Sequence, residues 1–152
     1  WEASKLPAIL MTASGGQCLG RAVAEALSGA FSPSGRLNMT WHNSAKDLPP
    51  MNDYHIREGK RTYQYFEGEV LFPFGHGLSY TEFTYLSYEV KEKNGRISGH
   101  AVVKNTGSVD AAEVVLFFLT RKPRDTSGPI KKLVGFRKIF LKSGETARVE
   151  IN

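Results

Sequence analysis

The spacing of apolar residues changes character along the chain, and each rhythm predicts a different element. Leu6 to Thr12, LPAILMT, is a short continuous apolar run, the pattern of a strand buried in a parallel sheet. In SGGQCLGRAVAEALSG, Leu19, Val23, Ala26 and Leu27 recur at helical intervals, Ser14 and Gln17 have capping-box spacing, and Gly29 with Pro33 supplies a stop. Beyond the turn SPSG, Leu37, Met39 and Trp41 alternate with polar neighbours as a second strand does. Strand, helix and strand in that order predict a βαβ unit with a right-handed crossover. One such unit cannot cover both faces of its own sheet. Residues 1–42 are therefore expected to be the end of a larger α/β domain, and an opening on Trp1 rather than Met reads as an excerpt.

From His42 to about Thr62 the chain is polar, carries Pro49 and Pro50, and keeps neither period, as a linker does. Between Tyr63 and Tyr85 it becomes dense in rings: Tyr63, Tyr65, Phe66, Phe72, Phe74, Tyr80, Phe83 and Tyr85 are eight of seventeen aromatics. An irregular segment this aromatic has to bury its rings against something, each ring removing up to about 150–250 Å² from water. Residues 43–80 are thus expected to form an anchored connector. Its members are Tyr63, Tyr65, Phe66, Phe72, Pro73, Phe74, Gly75, His76, Gly77 and Tyr80, with Phe83 opening the strand-rich region beyond it. Pro73 fixes its own φ, while Gly75 and Gly77 allow backbone angles or approaches that a side chain forbids.

After Thr81 the texture becomes that of alternating strands. Ile97, Gly99, Ala101 and Val103 point one way and Ser98, His100 and Lys104 the other, with Asn105-Thr106-Gly107 as a turn. EVVLFFLT is apolar on both faces, the pattern of a central strand in a covered sheet. KKLVGFRKIFL and TARVEIN supply two more strands around the turn KSGE. With Phe83 to Lys91 as the first, five strands succeed one another without a helix, which predicts a β-sandwich over residues 81–152. Phe83 to Asn152 is 70 residues, fewer than the roughly 100 of a seven-stranded sandwich, so an incomplete sandwich with an open edge is expected.

Composition narrows the function classes. At 41% hydrophobic and 23% charged the 152 residues can build a core, and no apolar run approaches the roughly 20 residues that cross a bilayer. The net charge of +5 is dispersed apart from Lys131, Lys132, Arg137 and Lys138, which interleave with Leu133, Phe136 and Ile139 as strand exteriors do, so no nucleic-acid surface is expected. Cys18 is the sole cysteine, which rules out an internal disulfide. His42, His55, His76 and His100 lack the spacing of a helical zinc site, and neither metal nor cofactor is expected. SGGQCLGR fits neither G-x-G-x-x-G nor a P-loop, and Ser14, Ser34 and Ser79 lack a nucleophile-elbow frame. Glu67 and Glu69 flank Gly68 in FEGEV, which reads as a solvated tight turn rather than the paired carboxylates of a glycosidase. His76, between two glycines, reads as a hydrogen-bonded spacer and not a general base. Asn38-Met39-Thr40 is formally a glycosylation sequon inside a predicted strand.

Four blocks carry a resemblance: FSPSGRLNMTW, KRTYQYFEGEVLFPFGHGLSYTEF, VVKNTGSVDAAEVVLFFL and LVGFRKIFLKSGETARVEI. In order and spacing they resemble the C-terminal part of glycoside hydrolase family 3, which includes β-glucosidases and β-xylosidases. The opening WEASKLPAILMTASGGQCLGRAVAEALSG is similar to the last strand and helix of that family's α/β sandwich domain. Asn38 stands where the family usually has Pro, and Ala112 where a Gly often precedes Glu-Val.

The resemblance implies the end of an α/β sandwich domain at 1–42, the connector, and a fibronectin type III-like sandwich at 81–152. It also implies catalytic domains of the same polypeptide that precede Trp1 and act on a carbohydrate substrate with retention, through a barrel Asp nucleophile and a Glu acid/base. No catalytic residue transfers to this chain. Two functions are weighed: a structural C-terminal portion of a retaining β-glycosidase, and a stand-alone carbohydrate- or protein-binding module. The second would use exposed rings of the connector or the loop from Thr120 to Lys131.

Overall fold

The computed structural model describes residues 5–120 and 128–151. Its elements are α1 (Leu19–Leu27), β1 (Trp41–His42), a short 3-10 turn (Ala45–Asp47), α2 (Thr62–Tyr65), β2 (Val70–Phe72), β3 (Phe83–Lys93), β4 (Arg96–Asn105), β5 (Ala111–Leu119), β6 (Lys132–Leu141) and β7 (Thr146–Ile151). The last five form two antiparallel sheets, ordered β3-β4-β7 and β5-β6. Asn94-Gly95 makes the two-residue hairpin between β3 and β4, where Lys93 pairs with Arg96. The sheets close on Ala101 and Val103 from β4, Val115 and Phe117 from β5, Leu141 from β6, and Val149 and Ile151 from β7. Phe83, Val90, Ile97, Val134 and Ile139 pack around that cluster, so the alternation seen in sequence is the alternation of the fold.

Asn105, where β4 ends, is fully buried at 0% exposure and uses its whole hydrogen-bonding capacity. Its Oδ1 accepts from the Thr81 hydroxyl at 2.8 Å and from Gly107 N–H at 3.2 Å, while Nδ2 donates to the carbonyls of Val109 (2.8 Å) and Leu141 (3.1 Å). Its backbone N–H donates to Glu145 O and its carbonyl accepts from Gly144. One amide side chain therefore ties the entry to the sandwich to two of its turns, and satisfaction of every polar atom is what makes its burial tolerable.

The N-terminal segment differs from the βαβ reading. Leu6 to Thr12 forms no strand: Leu6 is 52% and Leu10 42% exposed, and among the described residues no strand lies alongside to pair with it. A buried parallel strand needs neighbours and cover on both faces, and neither is present here. α1 starts only at Leu19, with Cys18 as N-cap and no side-chain cap. Gly16 O takes up Leu19 N–H in a preceding turn, which leaves Ser14 out of reach of the first helical amides. The strand expected from Leu37 to Trp41 shrinks to β1, which pairs antiparallel with β2, and Asn38-Met39 forms a bend before it. Gly68 is likewise a bend and not a hydrogen-bonded turn. β5, expected at the centre of a sheet, pairs with β6 alone among the described residues, and its outer face is half-buried.

Candidate functional site: a seam between connector and sandwich

What covers β5 is the connector, and its shape is set by one turn. His76 N–H donates to Pro73 O at 3.0 Å, closing Pro73-Phe74-Gly75-His76 with Gly75 at φ +86°, the left-handed angle that the third position of a type II turn demands. Leu37 docks on this turn from the other segment: its carbonyl accepts from Gly75 N–H (2.7 Å) and its N–H donates to His76 O (2.8 Å). Gly77 lies so close to the Gly35 carbonyl that a Cβ there would overlap it, and a Cβ on Gly75 would meet Leu116 Cδ1 at 2.6 Å. The two glycines that frame His76 are thus places of contact, one with residues 35–36 and one with the outer face of β5.

Rings fill the seam. Tyr63, on α2, stacks on Phe74 with centroids 4.2 Å apart, and both meet the edge of Phe118 from β5 at 6.0 and 6.1 Å. The Lys131 ammonium lies 4.8 Å above the Phe118 ring. Tyr63 also accepts Leu133 N–H on its hydroxyl at 3.2 Å, and Gln64 O accepts from Ile130 N–H at 2.6 Å, so α2 braces the approach to β6. Behind the turn, Phe72 stacks on the His76 imidazole at 4.8 Å and meets Trp41 edge-on at 6.0 Å, while Phe66 meets His42 at 4.4 Å.

An ion pair crosses the seam where the rings end. Arg36 Nη2 donates to Glu113 Oε2, with the side chains only 11% and 8% exposed, and Tyr85 donates its hydroxyl to the other carboxylate oxygen at 2.9 Å. Arg36 belongs to the irregular segment before Leu37, Glu113 to β5 and Tyr85 to β3, so this cluster joins three segments far apart in sequence. Burial, with the Glu113 charge adding to it, pushes the Tyr85 phenol well above its ordinary range, and Arg36 offsets only part of that. Further back, Tyr80 donates its hydroxyl to Ala26 O (2.9 Å) and its N–H to Ser32 Oγ (2.8 Å), fastening the end of α1 to the connector.

Of the connector residues expected from sequence, the structure brings Tyr63, Phe66, Phe72, Phe74, Gly75, His76 and Gly77 together in the seam, and Tyr65 is half-buried nearby. Phe83 packs against the sandwich core, Pro73 is exposed, and Tyr80 is 50% exposed despite its two hydrogen bonds. Sequence reasoning missed Arg36, Glu113 and Phe118: each reads locally as an ordinary turn or strand residue, and only the fold joins them. Glu67 pairs with Lys60 at 2.9 Å on the surface, and Glu69 is exposed. No group of three potential metal ligands and no helix long and apolar enough to cross a membrane occurs among the described residues. Part of the Thr120 to Lys131 loop, 121–127, lies outside the described residues.

The profile of the glycosyl hydrolase family 3 C-terminal domain matches residues 1–80, and that of the fibronectin type III-like domain matches 113–152. The chain belongs to glycosyl hydrolase family 3. It is 36% identical over 152 residues to a xylan 1,4-beta-xylosidase of Xylanibacter ruminicola, covering 99% of this chain and 17% of that protein. To the thermostable beta-glucosidase B of Acetivibrio thermocellus it is 38% identical over 160 residues, covering 95% and 21%. The crystal structure of the Bifidobacterium adolescentis GH3 beta-glucosidase superposes with a TM-score of 0.76 at 35% identity, over 89% of this chain and 22% of that one. The chain thus spans about a fifth of the length of these family 3 relatives.

Proposed function

We propose that this chain is the structural C-terminal portion of a retaining β-glycosidase of family 3, a β-glucosidase or β-xylosidase that hydrolyses terminal β-linked sugars. Its own part is to hold a β-sandwich in fixed orientation on the α/β layer. The observation that carries this reading is the seam. Tyr63 and Phe74 press their rings on Phe118 of β5, and Arg36 pairs with Glu113, 77 positions away, so the best-packed contacts of the connector are committed to joining two layers. Groups arranged to bind or transform a substrate would instead present hydrogen-bonding atoms to an open cleft. Arg36 and Tyr85 both donate to the Glu113 carboxylate, and Arg36 gives its Nη1 to the Gly35 carbonyl.

The test is a chromogenic β-glucoside or β-xyloside assay of the 152-residue chain beside the full-length polypeptide. Turnover by the longer protein alone is expected. Clear turnover by the shorter chain would overturn the reading.

A further inference from the structure

The outer face of the β5-β6 sheet is only half used by the connector. Cross-strand partners share a face, so the pairs Phe118 with Leu133, Leu116 with Phe136, Val114 with Lys138 and Ala112 with Phe140 line up along one surface. Tyr63, Phe74 and Gly75 cover the Phe118 and Leu116 end of that row. At the other end Phe136 and Phe140 are each 63% exposed, about 13 Å apart by strand rise, with exposed Lys138 between them. No carboxylate stands on this row, and none pairs with Lys138 among the described residues.

We infer that the Phe136-Lys138-Phe140 stripe is a second docking surface, whose occupant is a protein surface of the catalytic part of the same polypeptide that combines an apolar seat with a carboxylate. Continuity argues for this occupant. The stripe prolongs a face on which the preceding part of the chain already sits, so a segment that reaches the connector's end of the sheet needs little further travel to cover the rest. Charge argues for the carboxylate: two phenyl rings flanking one unpaired ammonium suit an acidic group set among apolar side chains. The inference rests on the scaffolding role proposed for the chain and adds a named surface to it.

Hydroxyl-radical footprinting of the full-length polypeptide tests it, with Met51 (93% exposed) as the open standard and Phe117 (4% exposed) as the closed one. Phe136 and Phe140 are expected to label slowly, like Phe117, at every protein concentration, and Lys138→Glu is expected to restore labelling and lower the melting temperature. Labelling at the rate of Met51 overturns the inference. So does protection that disappears on dilution, which would mean a second copy, or protection that appears only with added xylo- or cello-oligosaccharide, which would mean a sugar platform. Phe74→Ala in the same polypeptide separates the two proposals. A lowered melting temperature there, with Phe136 and Phe140 freely labelled in the unsubstituted polypeptide, leaves the scaffolding role standing and removes only the stripe. An unchanged melting temperature removes the scaffolding role itself.

Discussion

Asn105 shows how much a single side chain carries in this fold. Truncation to Ala strands the Val109 and Leu141 carbonyls, the Thr81 hydroxyl and the Gly107 N–H in or near the core. Unsatisfied buried groups cost roughly 1–3 kcal/mol each, with partial relaxation, so Asn105→Ala should lose about 3 kcal/mol or more in a urea titration. Tyr85 makes a prediction in pH. Because its phenol ionises less readily in the fold than in the unfolded chain, the unfolded state gives up its proton first as pH passes about 10, and stability should fall from there upward. Tyr85→Phe should flatten that alkaline decline in pH-resolved melting curves, and an unchanged slope would place the effect elsewhere. Glycines separate just as sharply. Gly77→Ala runs into the Gly35 carbonyl and should cost about 1–3 kcal/mol, whereas Gly20→Ala, in α1 with nothing within 4 Å of its Cβ, should be neutral or gain up to about 1 kcal/mol.

At the scale of elements, the outcome depends on whether an element's partners lie close in sequence. The five strands of the sandwich were legible because each is alternating or doubly apolar and ends in turn residues, and consecutive ones pair: β3 with β4 and β5 with β6. Leu6 to Thr12 carries an equally clear apolar signal but forms no strand, because a parallel pairing is decided by neighbours and not by its own residues. The rings of the connector announced a segment in need of cover, but not its geometry, and the structure leaves Tyr63, Phe66, Phe72 and Phe74 half-buried and Tyr80 and Tyr85 exposed. Nothing near Arg36 in sequence announces Glu113, 77 positions away, and no local pattern distinguishes Phe118 from the other apolar residues of β5. That ion pair makes the prediction for elements. Removing one partner of a buried ion pair leaves the other charge unpaired, so Glu113→Gln should destabilise by about 3–5 kcal/mol. Replacement of Arg36 and Glu113 together by Met should recover much of the loss in a double-mutant cycle. Additive single losses would show that the two side chains act independently.

On the scale of the whole molecule, two kinds of contact meet at the seam: apolar rings that supply non-directional adhesion, and a directional cluster of arginine, carboxylate and phenol that ties the segment before Leu37 to the sandwich. On the proposed scaffolding role, loosening of the sandwich is expected to pass to the preceding part of the polypeptide through residues 35–37 and 73–77, which the turn hydrogen bonds and close glycine approaches join. The most direct measurement is thermal unfolding of the full-length polypeptide carrying Phe74→Ala and Glu113→Gln together, read beside its steady-state kinetics on a chromogenic β-glycoside. The account predicts a melting temperature several degrees lower with KM unchanged at temperatures where the protein stays folded. An unaltered melting temperature, or a large rise in KM without any loss of stability, would contradict it.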